Sequence, residues 1–506
     1  MAKYIKSVLE LLEERAVKDP DRIAFKDPTS QISFKDLCDG AKAAGTYFSN
    51  LISHRDGVAF YMEKSTASVK AMFGVVYAGG FYSYIDVRQP AERISRILQK
   101  LDPGIVITDS VNLEKVKESN IFEGIKVLMI EDLLKEKTVD EERLSKIRMN
   151  AYDTDPLYVN FTSGSTGTPK GVTVSHRSVI EFSGYFTEIF DITKDDIMAN
   201  QAPFDFDVSV KDIYSSLTTG AEVLLIPRDY FSNPTILMDY LADNNVTVLV
   251  WAVSAMCFVS IMNGLEYRTP SSIRMIMFSG EVMPVKHLNK WKSFLPDARY
   301  VNLYGPTEIT CNCTYHILDR EYDLTETIPT GIPFPNEKVF LLDDNDREVT
   351  EPDTEGEICV AGTCLALGYY NDREKTDASF VRNPLNTSYE ETIYRTGDLG
   401  RYDKDGLLYY TSRKDFQIKH MGQRIELGEI DNCAMAIIGV LRACTIYDSD
   451  KKKIKLFYEG DADKKDLFAA LKEALPPYMV PSNVKQLEHL PVNKNGKIDR
   501  TVLAAM

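Results

Sequence analysis

Short runs of apolar residues alternate with helical patterns along most of the chain. Residues 221–226, 246–250 and 275–278 are three such runs, and each is bounded by polar or glycine-containing turns. Short buried strands that alternate with helices are typical of α/β proteins with largely parallel sheets. The pattern therefore predicts an α/β fold from the N-terminus to about residue 400.

The pattern changes twice towards the C-terminus. Between residues 337 and 412 the strings KVFLLDDND, GEICVAG and DKDGLLYY predict short strands joined by Asp/Gly turns, and therefore a β-rich subdomain. Residues 416–506 mix strand-like and helix-like segments over a length that suits a small α+β domain. The polar run 412–415 marks the expected boundary between this domain and a large domain over residues 1–412.

Composition then narrows the function classes. The 506 residues exceed what one hydrophobic core normally organises, which is ~250–300 residues. A net charge of −16 argues against a general nucleic-acid binder. The segment 1–25 reads as a charged amphipathic helix rather than a signal peptide, and the eight cysteines are scattered. No apolar run reaches the ~18 residues of a membrane span. We therefore expect a cytoplasmic protein without a membrane span.

The strongest local signal is the segment YVNFTSGSTGTPKGVTVSHRSV at residues 158–179. Here a strand precedes a loop that contains three glycines, five hydroxyl side chains and Lys170. Glycines let successive backbone N–H groups approach an anion, and the lysine adds a positive charge. The order of residues differs from the P-loop pattern. By itself, the loop fits a phosphate cradle and a polar surface turn equally well.

Ten strings in series resemble the acyl-adenylating superfamily, which includes acyl-CoA synthetases, beetle-type luciferases and the adenylation domains of peptide synthetases. They are YAGGFYSYIDVRQPAERI, FTSGSTGTPKGV, NQAPFDFDVSV, FSGEVMPV, NLYGPTE, GEICVAG, YRTGDLG, SRKDFQIKHMGQRIELGEID, LPPYMVP and NKNGKIDR. The strings NQAPFDFDVSV, GEVMPV and DFQIKHMGQRIEL are similar in particular to free-standing D-alanine–carrier-protein ligases and amino-acid adenylation domains.

The resemblance implies a fold and a reaction. It implies a large domain of stacked α/β sheets with a β-barrel-like subdomain at 337–412, a hinge at 413–415 that pivots at Asp415, and a mobile C-terminal domain. A carboxylate would attack the α-phosphate of MgATP, giving an acyl-adenylate and pyrophosphate, and a thiol would then displace AMP. Gly422 matches the loop that reaches the site in the thioester-forming orientation. Such domain closure is a known gating device.

The resemblance also implies roles in nucleotide binding. Tyr304 would stack on adenine beside Asn302, and Asp398 would accept the ribose hydroxyls with help from Arg413. Glu308 would hold Mg²⁺, a hard cation that prefers oxygen ligands. Lys497 would stabilise the negative charge that builds during adenylation. The implied ATP site comprises Thr162, Ser163, Gly164, Ser165, Thr166, Gly167, Lys170, Asn302, Tyr304, Gly305, Thr307, Asp398, Tyr410 and Arg413.

Asp207 matches the aspartate that pairs with the α-ammonium group of an amino acid. Trp251 is expected either to make the pocket shallow or to belong to the core, and Lys211 either to meet a substrate carboxylate or to face solvent. Ser279 differs from the cysteine typical of D-alanine ligases. Alanine of either hand, serine, cysteine and aspartate all remain candidates. The implied substrate pocket comprises Asp207, Val208, Lys211, Trp251, Met277, Ser279, Leu303, Cys311, Asn312 and Lys497.

Four functions fit these motifs. The first is a ligase that loads a small α-amino acid onto the phosphopantetheine thiol of a carrier protein. The chain stops six residues after Arg500, so we expect that carrier to act in trans. The others are a D-alanine–D-alanyl carrier protein ligase specifically, an acid–CoA ligase and a non-catalytic nucleotide-binding relative. Fold alone would not separate them.

Overall fold

Two mostly parallel β-sheets organise the N-terminal part of the chain. The computed structural model describes residues 4–164, 168–414, 417–449, 451–491 and 498–506. The seven-stranded sheet has the order Gly368–Tyr369, Lys170–Ser175, Pro156–Thr162, Phe81–Tyr84, Gly57–Tyr61, Ile105–Thr108, Lys126–Met129. The nine-stranded sheet has the order Ile332–Pro333, Thr314–Ile317, Arg299–Tyr304, Met275–Ser279, Val248–Ala252, Ile197–Asn200, Glu222–Leu225, Ile23–Lys26, Gln31–Ser33.

Three smaller sheets follow towards the C-terminus. The predicted β-rich subdomain is a five-stranded antiparallel sheet of Glu337–Leu342, Gly356–Gly362, Thr392–Tyr402, Phe380–Arg382 and Leu408–Arg413. Strands Gln417–His420 and Gln423–Glu426 form a two-stranded antiparallel ladder, which we call the 417–426 hairpin. The last sheet contains Val440–Asp448, Lys453–Gly460 and Asn483–Gln486.

Helices cover these sheets. They are Val8–Lys18, Phe34–Phe48, Thr66–Tyr77, Ala91–Leu101, Leu113–Glu118, Ile130–Leu133, Glu141–Met149, His176–Ile189, Ser209–Thr219, Pro234–Asp243, Val253–Ile261, Gly264–Tyr267, Val285–Phe294, Arg373–Ser379, Leu427–Met435, Lys464–Ala474 and Arg500–Ala504. Over the residues that the structure describes, none of them combines the length and apolar character needed to cross a bilayer.

The secondary structure confirms the prediction of an α/β fold. The apolar runs 221–226, 246–250 and 275–278 contain or overlap the strands Glu222–Leu225, Val248–Ala252 and Met275–Ser279. The prediction of one helix over residues 1–25 is wrong in extent. The helix starts at Val8, where the Ser7 side chain caps it, and ends at Lys18, two residues before Pro20. Proline lacks the N–H that a further turn would need.

Alternation along the strands of the nine-stranded sheet separates two cores. Trp251 and Phe278 are register partners and pack in one cluster on one face. Val250 and Met277 are the next pair of partners, and they pack in a different cluster. Because successive side chains of a strand point to opposite faces, a shift of one residue moves a side chain from one core to the other.

Lys64 holds the chain where the strand Ile197–Asn200 ends. Its amino group donates to the carbonyl oxygens of Asn200, Gln201 and Ala202 at 2.8, 3.0 and 3.0 Å, and to Asn200 Oδ1 at 2.6 Å. The Asn200 amide donates in turn to Asp212 Oδ2 at 2.7 Å. Ligands of α/β sheets bind beyond the carboxyl ends of the strands. Lys64 therefore fixes the segment that leads into the candidate substrate pocket.

We expect Lys64→Met to lower the free energy of unfolding by about 3 kcal/mol, because buried acceptors lose their donor and keep the cost of desolvation. Urea unfolding followed by circular dichroism measures this change. Lys115→Met, at an exposed lysine, is the matched control and should stay within about 0.5 kcal/mol of the parent. Equal losses in the two variants would contradict the role given to Lys64.

Candidate active site

The glycine-rich loop leaves the seven-stranded sheet between the paired strands Pro156–Thr162 and Lys170–Ser175, with Thr162 opposite Lys170. A Cβ on Gly164 would lie 2.1 Å from the carbonyl oxygen of Thr168, so only glycine fits this tight turn. Ser165, Thr166 and Gly167 lie outside the described residues. Thr162 Oγ1 is buried and has no hydrogen-bond partner in the described part of the chain. A buried hydroxyl of this kind suits a site that receives a polar ligand.

Glu308 lies beside this loop and is completely buried. Its carboxylate accepts from Tyr369 Oη at 2.7 Å and from Arg424 Nη1 at 3.0 and 2.8 Å. Burial by itself would raise the pKa of Glu308, but the positive charges of Arg424 and Lys170 outweigh it and lower the pKa to about 2. Glu308 is therefore ionised at neutral pH.

The carboxylate of Glu308, considered apart from its two cationic neighbours, suits a magnesium ion. An ionised carboxylate is a hard oxygen donor, and Mg²⁺ is usually held by one or two carboxylates together with substrate phosphates. Lys170, on the strand after the loop, acts on the same carboxylate electrostatically. Burial and the neighbouring Arg424 lower the pKa of Lys170 to about 8. Among the described residues, no group of three or more His, Cys, Asp or Glu side chains is arranged so that it could hold a metal ion.

A separate cavity has a volume of about 700 Å³. Its walls include Asn302, Tyr304, Asp398, Tyr410 and Arg413, all of which the resemblance assigned to the ATP site. Asp398 accepts from Tyr304 Oη at 2.6 Å and forms an ion pair with Arg413. The Asn302 amide donates to the carbonyl oxygen of Pro329 at 2.7 Å. The volume lies in the range of small-molecule sites.

A second cavity of about 50 Å³ shares Asp398 and Arg413 with the first as lining residues. It is lined as well by Asp207, Val208, Ser279, Gly305, Thr307, Cys311 and Asn312. Burial raises the pKa of Asp207, while a hydrogen bond from Thr307 and the charge of Lys211 oppose that rise. The structure thus places the buried carboxylate of Asp207 in the lining of the small cavity, which adjoins the large one at Asp398 and Arg413.

Lys211 is buried in the pocket wall and does not reach solvent. Its Nζ lies 2.7 Å from Asn312 Oδ1 and 3.4 Å from Ser279 Oγ. Asn312 follows a sharp bend in which Thr310 and Cys311 have φ angles of 55° and 87°, a conformation that side chains rarely adopt. Such strain is characteristic of functional sites. Of the two expectations for Lys211, solvent exposure is wrong.

The interpretation of Trp251 as a pocket residue is wrong. Met277, Leu303 and Cys311 pack together on one face of the nine-stranded sheet, and Val250 packs with them. The Trp251 ring lies on the opposite face against Phe231 and Trp291, and its Nε1 donates to the Ala199 carbonyl at 2.9 Å. Because side chains alternate between the two faces of a strand, Val250, the partner of Met277, is the residue of this strand on the pocket side.

The 417–426 hairpin supplies further site residues: Gly422 was expected from the resemblance, whereas Gln417, Lys419 and Arg424 were not predicted from the sequence. Gln417, Lys419, Gly422 and Arg424 line the small cavity, and Lys419 Nζ lies 5.6 Å from the centre of the Tyr304 ring. The Gly422 N–H donates to Glu281 Oε1 at 2.6 Å, so the loop assigned to the thioester-forming orientation reaches the site here. Alternating polar residues in FQIKHMGQRIE were the available signal, because every second strand residue shares a face. Lys497 and Asp415 lie outside the described residues.

Sequence comparison identifies the relatives of this chain. The profile of the family described as AMP-binding enzyme matches residues 12–370. The chain is 32% identical to tyrocidine synthase 3 of Brevibacillus parabrevis, over 98% of this chain and 8% of that protein. It is 31% identical to the L-proline–[L-prolyl-carrier protein] ligase of Streptomyces coelicolor, over 88% of this chain and 86% of the ligase.

Several of these relatives are much longer than this chain, which spans 8% of tyrocidine synthase 3 and 45% of tyrocidine synthase 1. Among solved structures, holo-PA1221, described as a protein with adenylation and PCP domains, superimposes with a TM-score of 0.82 and 25% identity. That match covers 98% of this chain and 84% of PA1221. The profile match over most of the chain and the ten motifs agree: the chain belongs to the AMP-binding enzyme family, within the acyl-adenylating superfamily.

Proposed function

We propose that the chain activates a small α-amino acid as aminoacyl-AMP and transfers it to the phosphopantetheine thiol of a separate carrier protein. The position of Asp207 carries this proposal. Its buried carboxylate lies in a small cavity that meets the larger one lined by Tyr304 and Asp398. A buried carboxylate needs a compensating charge, and the α-ammonium group of an amino acid supplies one.

The contacts suggest how the site performs the first half-reaction. An amino acid held through its ammonium group by Asp207 presents its carboxylate towards the larger cavity. A carboxylate oxygen attacks the α-phosphorus, and the bond to pyrophosphate breaks. Tyr304 and Asp398 would hold base and ribose, while Ser163 and Lys170 would contact phosphate oxygens. Magnesium held by Glu308 would neutralise phosphate charge.

The small cavity favours short side chains. About 50 Å³ remains beside Asp207, Ser279 and Asn312, which has room for few heavy atoms. Lys211 Nζ lies directly behind this lining, within hydrogen-bond distance of Ser279 Oγ and Asn312 Oδ1. A buried donor of this kind favours a substrate side chain that accepts hydrogen bonds, because an alkyl group would leave donors poorly paired. Serine and aspartate therefore fit better than alanine.

Amino-acid-dependent pyrophosphate exchange tests the proposed function. We expect exchange with one or a few small amino acids in a panel of the proteinogenic set plus D-alanine, D-serine and β-alanine. Asp207→Asn should reduce kcat/KM by at least about 10²-fold, since the ammonium group loses a charged partner. Exchange with no amino acid, together with activity on a fatty or aryl acid and CoA, would support an acid–CoA ligase and refute the proposal.

Replacing Lys211 should change the preferred amino acid. We expect Lys211→Met to raise kcat/KM for alanine relative to serine or aspartate by about tenfold or more, because the buried ammonium group is removed. Exchange assays with the three amino acids measure the ratio. Lys194→Met, at an exposed lysine remote from both cavities, is the matched control. An unchanged ratio in Lys211→Met would show that Lys211 does not select the side chain.

Lys497 carries the charge proposed to stabilise the adenylation transition state. We expect Lys497→Ala to lower pyrophosphate exchange by about 10²–10³-fold, the loss typical of one group that stabilises developing charge. Thioester formation from chemically prepared aminoacyl-AMP should change much less, since that step does not build charge on the α-phosphate. Lys494→Ala is the neighbouring control. A similar loss in both half-reactions would contradict this assignment.

A further inference from the structure

The 417–426 hairpin contacts the groups that the proposed function assigns to the ATP phosphates and the metal. Arg424 donates to both carboxylate oxygens of Glu308. The carbonyl oxygen of the same residue accepts from Ser163 Oγ at 2.6 Å. Two residues further along the strand, Glu426 Oε1 lies 3.9 Å from Lys170 Nζ. The strand Gln423–Glu426 thus contacts the hydroxyl of Ser163, the amino group of Lys170 and the carboxylate of Glu308.

These contacts reproduce the charge pattern of a metal-bound pyrophosphate. The carboxylate of Glu308 faces the positive guanidinium of Arg424, as it would face a cation. Lys170 faces the negative Glu426, and the Ser163 hydroxyl donates to an oxygen, as each would towards phosphate. The docked hairpin and a bound metal–pyrophosphate would each supply partners to the same side chains, Glu308, Lys170 and Ser163. Either one therefore satisfies these side chains without the other.

The two arrangements exclude each other at Glu308. The carboxylate is completely buried, and three hydrogen bonds from Tyr369 and Arg424 already occupy its oxygens. A magnesium ion needs such an oxygen at about 2.0–2.1 Å, which would place it against the guanidinium in a site of low dielectric. Like charges at that separation repel strongly, so the guanidinium and the metal do not share the carboxylate.

We propose that Arg424 and magnesium compete for Glu308, so that this one carboxylate couples loss of the metal to docking of the hairpin. Arg424 is then a positioning residue for the second half-reaction. The metal-bound nucleotide holds the hairpin off the site, and loss of the metal frees the carboxylate that secures the hairpin. This proposal rests on the proposed function, because it assumes that the cavity binds ATP.

Glu281 provides a matched comparison. Its carboxylate also secures the hairpin, by accepting from the Gly422 N–H at 2.6 Å, and it lies 3.4 Å from Nζ of Lys452 in the turn before the strand Lys453–Gly460. Neither of these contacts involves the glycine-rich loop or Glu308. Removing the charge of Glu281 should weaken docking without touching the competition with the metal. Removing the charge of Arg424 should abolish the competition itself.

Double electron–electron resonance, which measures the distance between two spin labels, tests the competition between Arg424 and magnesium. Labels on Val111→Cys and Ile438→Cys, which replace exposed residues of the large and small domains, report the docked fraction in a Cys433→Ser background. The enzyme is studied with α,β-methylene-ATP in EDTA and then with saturating magnesium. In the parent, magnesium should lower the docked-to-undocked ratio by about tenfold, within the usual range of coupling between two sites.

The variants then separate the two effects. Glu281→Gln should dock less than the parent but keep the tenfold response to magnesium. Arg424→Gln, which retains an amide donor, should respond by less than about twofold. If Arg424→Gln does not dock at all, Mn²⁺ affinity of the analogue complex decides instead. It should be tighter in this variant by the same factor, because coupling between two bound groups is reciprocal.

Several outcomes would overturn the proposal. The proposal is wrong if the docked fraction of the parent does not change with magnesium although the analogue binds. It is also wrong if Arg424→Gln responds to magnesium as the parent does. Where that variant does not dock, an unchanged Mn²⁺ affinity has the same meaning. Binding of the analogue is established first by equilibrium dialysis. If the analogue binds to none of the variants, the proposed function fails along with this inference. Binding with metal-independent docking leaves the proposed function intact.

Discussion

The ionised, fully buried carboxylate of Glu308 sets the arrangement of everything around it. A buried charge is tolerated only with partners, and here they come from three separate parts of the chain. Tyr369 and Lys170 belong to the seven-stranded sheet, while Arg424 belongs to the hairpin near the C-terminus. This single charge therefore links the 417–426 hairpin to the seven-stranded sheet and to the strand that follows the glycine-rich loop.

The small cavity, which is the candidate substrate pocket, also contains buried charges that have specific partners. Asp207 and Lys211 are one helical turn apart at the start of the helix Ser209–Thr219, and both are buried. Thr307 donates to the first, and Asn312 accepts from the second. These partners come from the stretch that also contains Glu308, so the residues proposed for the metal and for the substrate share one short segment after the strand Arg299–Tyr304. Positions this close are expected to couple energetically.

Lys64 shows that the pocket also depends on a residue with no place in the reaction. Its amino group ties down three consecutive carbonyl groups ahead of Asp207. A lysine in this role appears in the sequence as an ordinary polar position after the strand Gly57–Tyr61. Only the fold brings it to residues 136 to 138 positions further along the chain.

The sequence alone determined the α/β class, the position of the strands at 221–226, 246–250 and 275–278, and the family, because local periodicity and contiguous motifs carry that information. The prediction of the pocket residues was wrong by one position on a strand: Trp251 and Val250 are adjacent, but their side chains pack in different cores. It also left open the direction of Lys211, which depends on Asn312 across the pocket. The pairing of Arg424 with Glu308 joins residues 116 positions apart, and only tertiary packing decides such a contact. A buried charge is costly unless it is paired, and which charges are buried is decided only when the chain folds.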